Sequence, residues 1–335
     1  MTRVAVVEDP LFQLHDTGPG HPERAARVRA VAERLRTGAL AGALEFLPAE
    51  REASEEEIAY VHEPAYWRDA CRAMERGETL LDEGDTVVSG LASLRAVRRA
   101  TGAVLSLADR ALRGEIEAGF ALVRPPGHHA ERARAMGFCV VNHIAVLARY
   151  LQRRGGLQRV AIVDFDVHHG NGTQNAFYED GSIYFCSLHQ FPHWPGTGRA
   201  EERGRGDGLG ATRNVPMAPG AGPDDYFRAF GELVLPDLLA FRPQALLISA
   251  GFDAHRRDPL SAIRLESDSY FRMTAELMRL LRAVGGGPVL SVLEGGYDLE
   301  ALAESAEQHL MALLDHPAQG TERKGVPSDE RAGAS

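Results

Sequence analysis

The run Val163-Asp164-Phe165-Asp166-Val167-His168-His169-Gly170-Asn171-Gly172 sets carboxylates and imidazoles at alternating positions where an apolar, β-branched segment ends. Residues i and i+2 share one face of an extended chain, so Asp166 and His168 can aim at one point, with Asp164 a step behind. A carboxylate oxygen and an imidazole nitrogen suit a divalent metal, but two ligands leave a site incomplete. The best third ligand is Asp253, in Ile248-Ser249-Ala250-Gly251-Phe252-Asp253-Ala254-His255, again directly after an apolar run. An Asp, His, Asp set keeps coordination positions open for water and substrate, as a catalytic site requires.

Three further segments carry reactive groups. In Arg124-Pro125-Pro126-Gly127-His128-His129-Ala130, two prolines and a glycine set a stiff turn that presents adjacent histidines. Imidazoles titrate near neutrality and can serve proton transfer, although a histidine pair alone is more often a solvated loop feature. In Leu293-Glu294-Gly295-Gly296-Tyr297 a strand runs into a sharp turn bearing a phenol, which could stabilise an oxyanion or could be an ordinary half-buried tyrosine. Ser187-Leu188-His189-Gln190 is followed by Trp194-Pro195-Gly196-Thr197-Gly198 and a glycine-rich stretch at 204–210. That stretch alternates as G-x-G-x-G-x-G, lacks dinucleotide-binding spacing and opens no helix, so it reads as a flexible loop.

These groups need a scaffold that gathers them. Short apolar segments at 3–7, 119–123, 160–165, 183–187, 245–249 and 288–293 read as buried strands. Helical periodicity at 23–35, 91–112, 141–153, 224–239 and 267–284 alternates with them. Such alternation implies crossover connections and a mainly parallel sheet covered on both faces, an α/β fold. Functional residues of such sheets collect at the carboxyl ends of strands, where the polar motifs fall. One domain over 1–315 is expected, with a polar, Pro- and Gly-containing tail at 316–335 that has no apolar face.

Bulk properties narrow the function classes. With 335 residues, 44% hydrophobic and 25% charged, the chain can bury a large core. A net charge of −10 argues against direct binding of nucleic acid or anionic membrane. Cys71, Cys139 and Cys186 lack C-x-x-C spacing, so neither a disulfide framework nor a cysteine-based metal site is expected. Without a signal-like N-terminus or an apolar run near ~18 residues, a soluble cytoplasmic protein is the default expectation. A homo-oligomer is compatible with the sequence.

Taken together, these motifs resemble the histone deacetylase superfamily, in family order from His21-Pro22-Glu23-Arg24 to Gly296-Tyr297. The Pro-Pro-Gly-His-His, Asp-x-Asp-x-His-His-Gly-Asn-Gly and Leu-Glu-Gly-Gly-Tyr blocks are similar to the class II branch and its bacterial relatives. The resemblance implies the arginase/deacetylase-like three-layer fold with a mainly parallel eight-stranded sheet. It implies zinc, or iron(II) in its place, on Asp166, His168 and Asp253, and hydrolysis of an N-acyl amine by metal-activated water. His129 would be general base and then acid, with His128 assisting, Asp164 orienting His128 and Asn171 behind His129. Tyr297 would donate to the developing oxyanion. Phe138 and Trp194 would wall a tunnel for lysine methylenes, Gly137 would lie against the substrate, and Asp85 would stand at the rim. A structural potassium site would use Asp164, Ser187 and carbonyls of Asp166, His168 and Leu188.

Departures from the family pattern bear on substrate. Trp194 is bulkier than the usual Phe or Tyr, and Ala25 replaces a common proline. Polyamine-selective members tend to carry an acidic gatekeeper where this chain has Leu260. The favoured substrate is therefore acetyl-lysine in a peptide or protein. A small N-acyl amine, with an acetylpolyamine amidohydrolase activity, is the alternative. A weakly catalytic acyl-lysine binding protein is disfavoured by the presence of Tyr297, and a ureohydrolase by the single three-ligand set.

Overall fold

The computed structural model describes residues 3–82 and 84–315. Eight strands, β1 (Val4–Glu8), β2 (Glu45–Pro48), β3 (Ala118–Ala121), β4 (Val160–Asp164), β5 (Ile183–Gln190), β6 (Thr212–Met217), β7 (Ala245–Ala250) and β8 (Val289–Leu293), form one sheet. Their spatial order is β2-β1-β3-β8-β7-β4-β5-β6, and each neighbouring pair is parallel. The sheet is thus wholly rather than mainly parallel, in the arginase/deacetylase-like α/β arrangement. Helices α1 (Ala26–Thr37), α2 (Glu55–Ile58), α3 (Pro64–Glu75), α4 (Gly90–Leu112), α5 (His143–Gly155), α6 (Asn171–Phe177), α7 (Pro223–Ala229), α8 (Leu235–Phe241), α9 (Ser267–Ala283) and α10 (Leu299–Leu313) supply the crossovers and outer layers.

Alternate side chains of the central strands enter opposite cores. In β4, Ala161 and Val163 join the core under α1, α9 and α10, whereas Val160 and Ile162 join the one under α3, α4 and α5. β8 divides likewise, with Val289 and Leu293 on one face and Leu290 and Val292 on the other. Burial on both faces makes these strands continuously apolar, which is why they are visible in the sequence.

The edge strands are not. β2 is short and half-exposed, and β6 contains Arg213, Asn214 and Pro216, a composition tolerated where one side of the strand has no partner. The helix expected at 224–239 is three joined pieces, because a π-helical turn at Phe230–Val234 separates α7 from α8. Pro236 has no N–H to give to the preceding turn, and a wider turn absorbs the defect. The stretch at 204–210, expected to be a flexible loop, instead packs down. Arg205 N donates to Tyr178 O at 2.8 Å, and Gly208 lies so close to residues 178–180 that a Cβ would meet backbone at 2.6 Å. The expected tail at 316–335 lies outside the described residues. Among the described residues no helix is long and apolar enough to cross a membrane.

Four strands matter most for function. β3, β8, β7 and β4 are contiguous at the centre of the sheet, so the loops leaving their carboxyl ends converge. Those loops carry the His128-His129, Tyr297, Asp253 and Asp166/His168 motifs.

α10 also buries a histidine. His309 lies between Thr274 Oγ1 and Ser291 Oγ, at 2.7 and 2.9 Å, and burial pulls its imidazole from 6.5 to about 3. The fold holds it neutral while an unfolded chain takes up a proton below pH 6.5. Its contribution to stability is therefore whole above that pH and is lost as pH falls towards 3. The stability deficit of a His309→Gln variant relative to the parent should shrink by about 1.4 kcal/mol per pH unit between roughly pH 6 and 4. Urea melts at each pH measure this, and a pH-independent deficit would contradict a neutral His309.

Candidate active site

Beyond Asp164 the chain leaves β4 and bends through residues 166–168, which carries Asp166 and His168 past the end of the strand. Asp166 Oδ2 accepts from Gly295 N at 2.7 Å, and its Oδ1 from His168 N at 2.9 Å. Asp253, arriving from β7, accepts from Val167 N at 2.8 Å through Oδ1. These bonds turn one oxygen of each carboxylate to His168 Nδ1, which lies 3.1 Å from Asp166 Oδ1 and 3.1 Å from Asp253 Oδ2. All three ligand atoms fall within 4.8 Å of one another. In a tetrahedral zinc site with bonds near 2.1 Å, ligand atoms stand about 3.4 Å apart, so the donor set fits such an ion. Burial disfavours a charged His168, but Asp166 and Asp253 outweigh it and raise the imidazole to about 10, a sign of how strongly this point attracts a cation.

Two glycines make this approach feasible. A Cβ on Gly251 would stand 2.1 Å from Asp166 Oδ2, and one on Gly295 would stand 2.1 Å from Asp253 Oδ2 and 2.5 Å from Asp166 Oδ2.

The histidine pair is held from several sides. Arg124 forms a buried ion pair with Glu23, at 2.5 and 2.7 Å, and donates to Phe12 O and His15 O. Glu294 Oε2 accepts from the backbone N–H of Gly127 and His128, at 2.7 and 3.1 Å. Burial raises Glu294 to about 7. His128 Nδ1–H donates to Asp164 Oδ2 at 2.9 Å, whereas His129 Nδ1 meets the amide oxygen of Asn171 at 2.8 Å. The two imidazoles consequently differ. Burial opposes charge on both, but Asp166 and Asp164 raise His128 to about 10, while His128 and His168 add to burial and hold His129 well below its usual value.

Tyr297 is set by Asp258, whose Oδ2 accepts its backbone N–H at 2.7 Å, and by Arg27. The Arg27 guanidinium lies 5.0 Å from the Tyr297 ring centre and donates to Gly296 O and Glu294 O. Burial pushes the phenol well above its ordinary range, so it stays protonated and can donate. A cavity of about 280 Å³ opens over this group, lined by Asp85, His129, Gly137, Phe138, His168, His193, Trp194, Leu260 and Tyr297. Its base is polar and buried and its mouth mostly apolar, with Trp194 40% exposed. Gly137 and Phe138 take left-handed backbone conformations, φ 57° and 67°, and a Cβ on Gly137 would meet Trp194 Cη2 and His129 Cδ2 at 2.5 Å. Asp85 Oδ1 accepts from Gly137 N at 3.0 Å. Asp164 and Ser187 face each other in register on β4 and β5, next to Leu188 and the turn carrying Asp166 and His168. The expected monovalent-cation residues are thereby neighbours.

Every sequence-predicted site residue thus joins one cluster or its immediate support. Sequence reasoning missed Glu294, Asp258, Arg27 and His193. Glu294 stands inside a motif already singled out, and Arg27, in the first turn of α1, is four residues after Glu23, but nothing local marks the other two. His193 stacks on His168, with ring centres 5.1 Å apart, and pairs with Leu260 O at 3.0 Å.

The sheet order and this cluster place the chain in the arginase/deacetylase-like fold class. The histone deacetylase domain profile matches residues 21–313, and the chain belongs to the histone deacetylase family. It is 38% identical over 319 residues to histone deacetylase 10, chloroplastic, of Oryza sativa subsp. japonica, an alignment covering 89% of this chain and 70% of that protein. It is 41% identical over 306 residues to the polyamine deacetylase HDAC10 of Homo sapiens, covering 88% of this chain and 45% of that one. The crystal structure of the HDA15 HD domain superposes with a TM-score of 0.88 at 40% identity, covering 94% of this chain and 89% of that chain.

A Gly295→Ala variant leaves all three candidate ligands in place but intrudes on two of them. It should fold and lose tightly held divalent metal, measured as metal per protein after dialysis. Parent-like stoichiometry would mean that these carboxylates do not close on an ion.

Proposed function

We propose that the protein is a zinc-dependent deacylase that hydrolyses acyl-lysine side chains in peptides or proteins. The observation that carries this reading is the joining, in one cavity, of an apolar mouth to a base lined by His129, Tyr297 and His168, the last of which also belongs to the buried Asp166, His168, Asp253 triangle. Phe138 and Trp194 suit a four-carbon stem, which they can bury while the peptide remains outside. Zinc held by Asp166, His168 and Asp253, or iron(II) in its place, would polarise the amide carbonyl and acidify the attacking water.

The remaining chemistry falls to side chains. His129, neutral and with Nδ1 engaged by Asn171, keeps Nε2 free to take the water proton and then pass it to the departing amine. His128, held charged by Asp166 and by the hydrogen-bonded Asp164, offsets negative charge beside it. The Tyr297 phenol donates to the carbonyl oxygen as charge develops there, which lowers the barrier more than it aids ground-state binding. Asp164 and Ser187, with carbonyls of Asp166, His168 and Leu188, would hold a potassium ion that steadies the strand end beneath His128.

Leu260 favours lysine peptides over polyamines, because it puts an apolar side chain where a gatekeeper carboxylate would meet a second ammonium, and Asp85, the carboxylate that does line the cavity, is engaged by Gly137 N. The likeness to a polyamine deacetylase keeps acetylputrescine in the test. Zinc-loaded protein should release amine from acetyl-lysine and trifluoroacetyl-lysine peptides in an EDTA-sensitive way, and faster than from acetylputrescine. The opposite preference would transfer the assignment to polyamines, and no release from any would leave an acyl-lysine binding protein.

Two substitutions test the roles. Tyr297→Phe should lower kcat by about 10² or more with little change in KM. Near-parent turnover would remove the phenol from the mechanism. Asp253→Ala should abolish zinc retention, and unchanged zinc per protein would exclude it as a ligand.

A further inference from the structure

His129 can act as a base only if its proton sits on Nδ1 and leaves Nε2 bare, and its partner at Nδ1 is an amide. A carboxylate accepts whichever way it turns, whereas an asparagine presents either an oxygen or an NH₂ group. Turned through 180°, Asn171 would donate to Nδ1, force the proton onto Nε2 and remove the base. Some other group must therefore hold the amide.

That group is Glu131. Asn171 Nδ2 donates to Glu131 Oε1 at 2.9 Å, a shorter contact than those from the same nitrogen to His129 O and Met136 Sδ, both 3.4 Å. A carboxylate can only accept, so it selects the NH₂ side of Asn171 and directs the oxygen to His129. Glu131 is itself anchored: its N–H donates to Arg134 O at 2.9 Å, its carbonyl meets His62 Nδ1 at 2.9 Å, and Arg134 Nη2 lies 3.5 Å from Oε1. Close packing brings the two segments together, since a Cβ on Gly172 would meet Ala130 O at 2.2 Å.

We infer that Glu131 is a positioning residue that sets the tautomer of His129 by fixing the amide orientation of Asn171. It touches no substrate and lies on the far side of Asn171, lining a separate polar cavity with Arg132, Gln174 and Thr197. The inference rests on His129 serving as base in the proposed hydrolysis. It explains how an asparagine performs, with direction, the task that Asp164 performs for His128 without needing any.

The experiment compares full-length, zinc-loaded parent, Glu131→Ala and Glu131→Gln proteins. Steady-state kinetics use an acetyl-lysine peptide, and ¹⁵N spectra use histidine-labelled protein, with His129 assigned by its loss in His129→Ala. In Glu131→Ala, kcat should fall about tenfold or more, in line with impaired general-base catalysis, with KM within about twofold and zinc stoichiometry unchanged. The His129 nitrogens should shift from a protonated Nδ1 towards a protonated Nε2. Glu131→Gln, which accepts in only one of its two amide orientations, should restore part of kcat and part of the parent nitrogen pattern. An unchanged kcat in the alanine variant, an unchanged nitrogen pattern, or failure of glutamine to do better than alanine would each overturn the proposal. If the parent itself releases no amine, the hydrolase reading fails, and the nitrogen pattern alone decides the role of Glu131.

Discussion

Five carboxylates, those of Asp164, Asp166, Asp253, Asp258 and Glu294, are buried at or just beyond the carboxyl ends of β4, β7 and β8. An isolated carboxylate in such a place costs several kcal/mol, so each must find donors, and the site is built from the way they are found. Glu294, after β8, takes N–H groups from the loop after β3. Asp253, after β7, takes one from the loop after β4, and Asp166, after β4, takes one from the loop after β8. Asp258 takes the N–H of Tyr297. Four loops that share no secondary structure are thereby cross-linked, and the candidate metal-binding and proton-transfer groups are positioned by the same bonds that satisfy the buried charge.

A second layer ties this arrangement to the start of the chain. Glu23 is buried between Arg27 and Arg124, and although burial opposes ionisation, Arg124 and Arg27 hold its carboxyl at about 2. Arg124 braces the turn ahead of the histidine pair, and Arg27 reaches the carbonyls of Glu294 and Gly296 beneath Tyr297. One ion-paired triad thus supports both the base and the oxyanion donor. Removing any member would leave a buried charge unmatched, which is generally more damaging than losing the pair together.

The two adjacent histidines show how support, more than residue type, assigns chemistry. Both are buried, with ring centres 3.8 Å apart. Asp166 and the hydrogen-bonded Asp164 make His128 a cation against the cost of burial, whereas burial and the neighbouring His128 and His168 keep His129, which has only an amide at Nδ1, neutral. Pushing two similar groups to opposite protonation states equips one for charge stabilisation and the other for proton transfer.

Much of this was legible in the residues themselves. The central strands announce themselves because burial on both faces demands unbroken apolar runs, Asp166 and His168 follow from alternation after one such run, and Asp253 from its place directly after another. Edge strands β2 and β6 were not legible, since a strand with one free side tolerates charge and proline. Nor could the sequence show that α10 would bury Glu307 and His309 within an otherwise apolar helix, a mixture that obscures its period. By itself the sequence determined the α/β class, the family and the candidate reactive side chains, because these depend on local pattern and residue chemistry. The tertiary structure alone decided that Glu294 anchors the histidine loop, that Arg27 lies beneath Tyr297, that His193 stacks on His168 and that Glu131 holds Asn171. The Glu294 and His193 contacts join residues on loops brought together only by the strand order, Arg27 reaches the Tyr297 loop from α1, and even Glu131 meets Asn171 across 40 positions of chain. Short-range pattern carries no record of which loops a sheet will make neighbours.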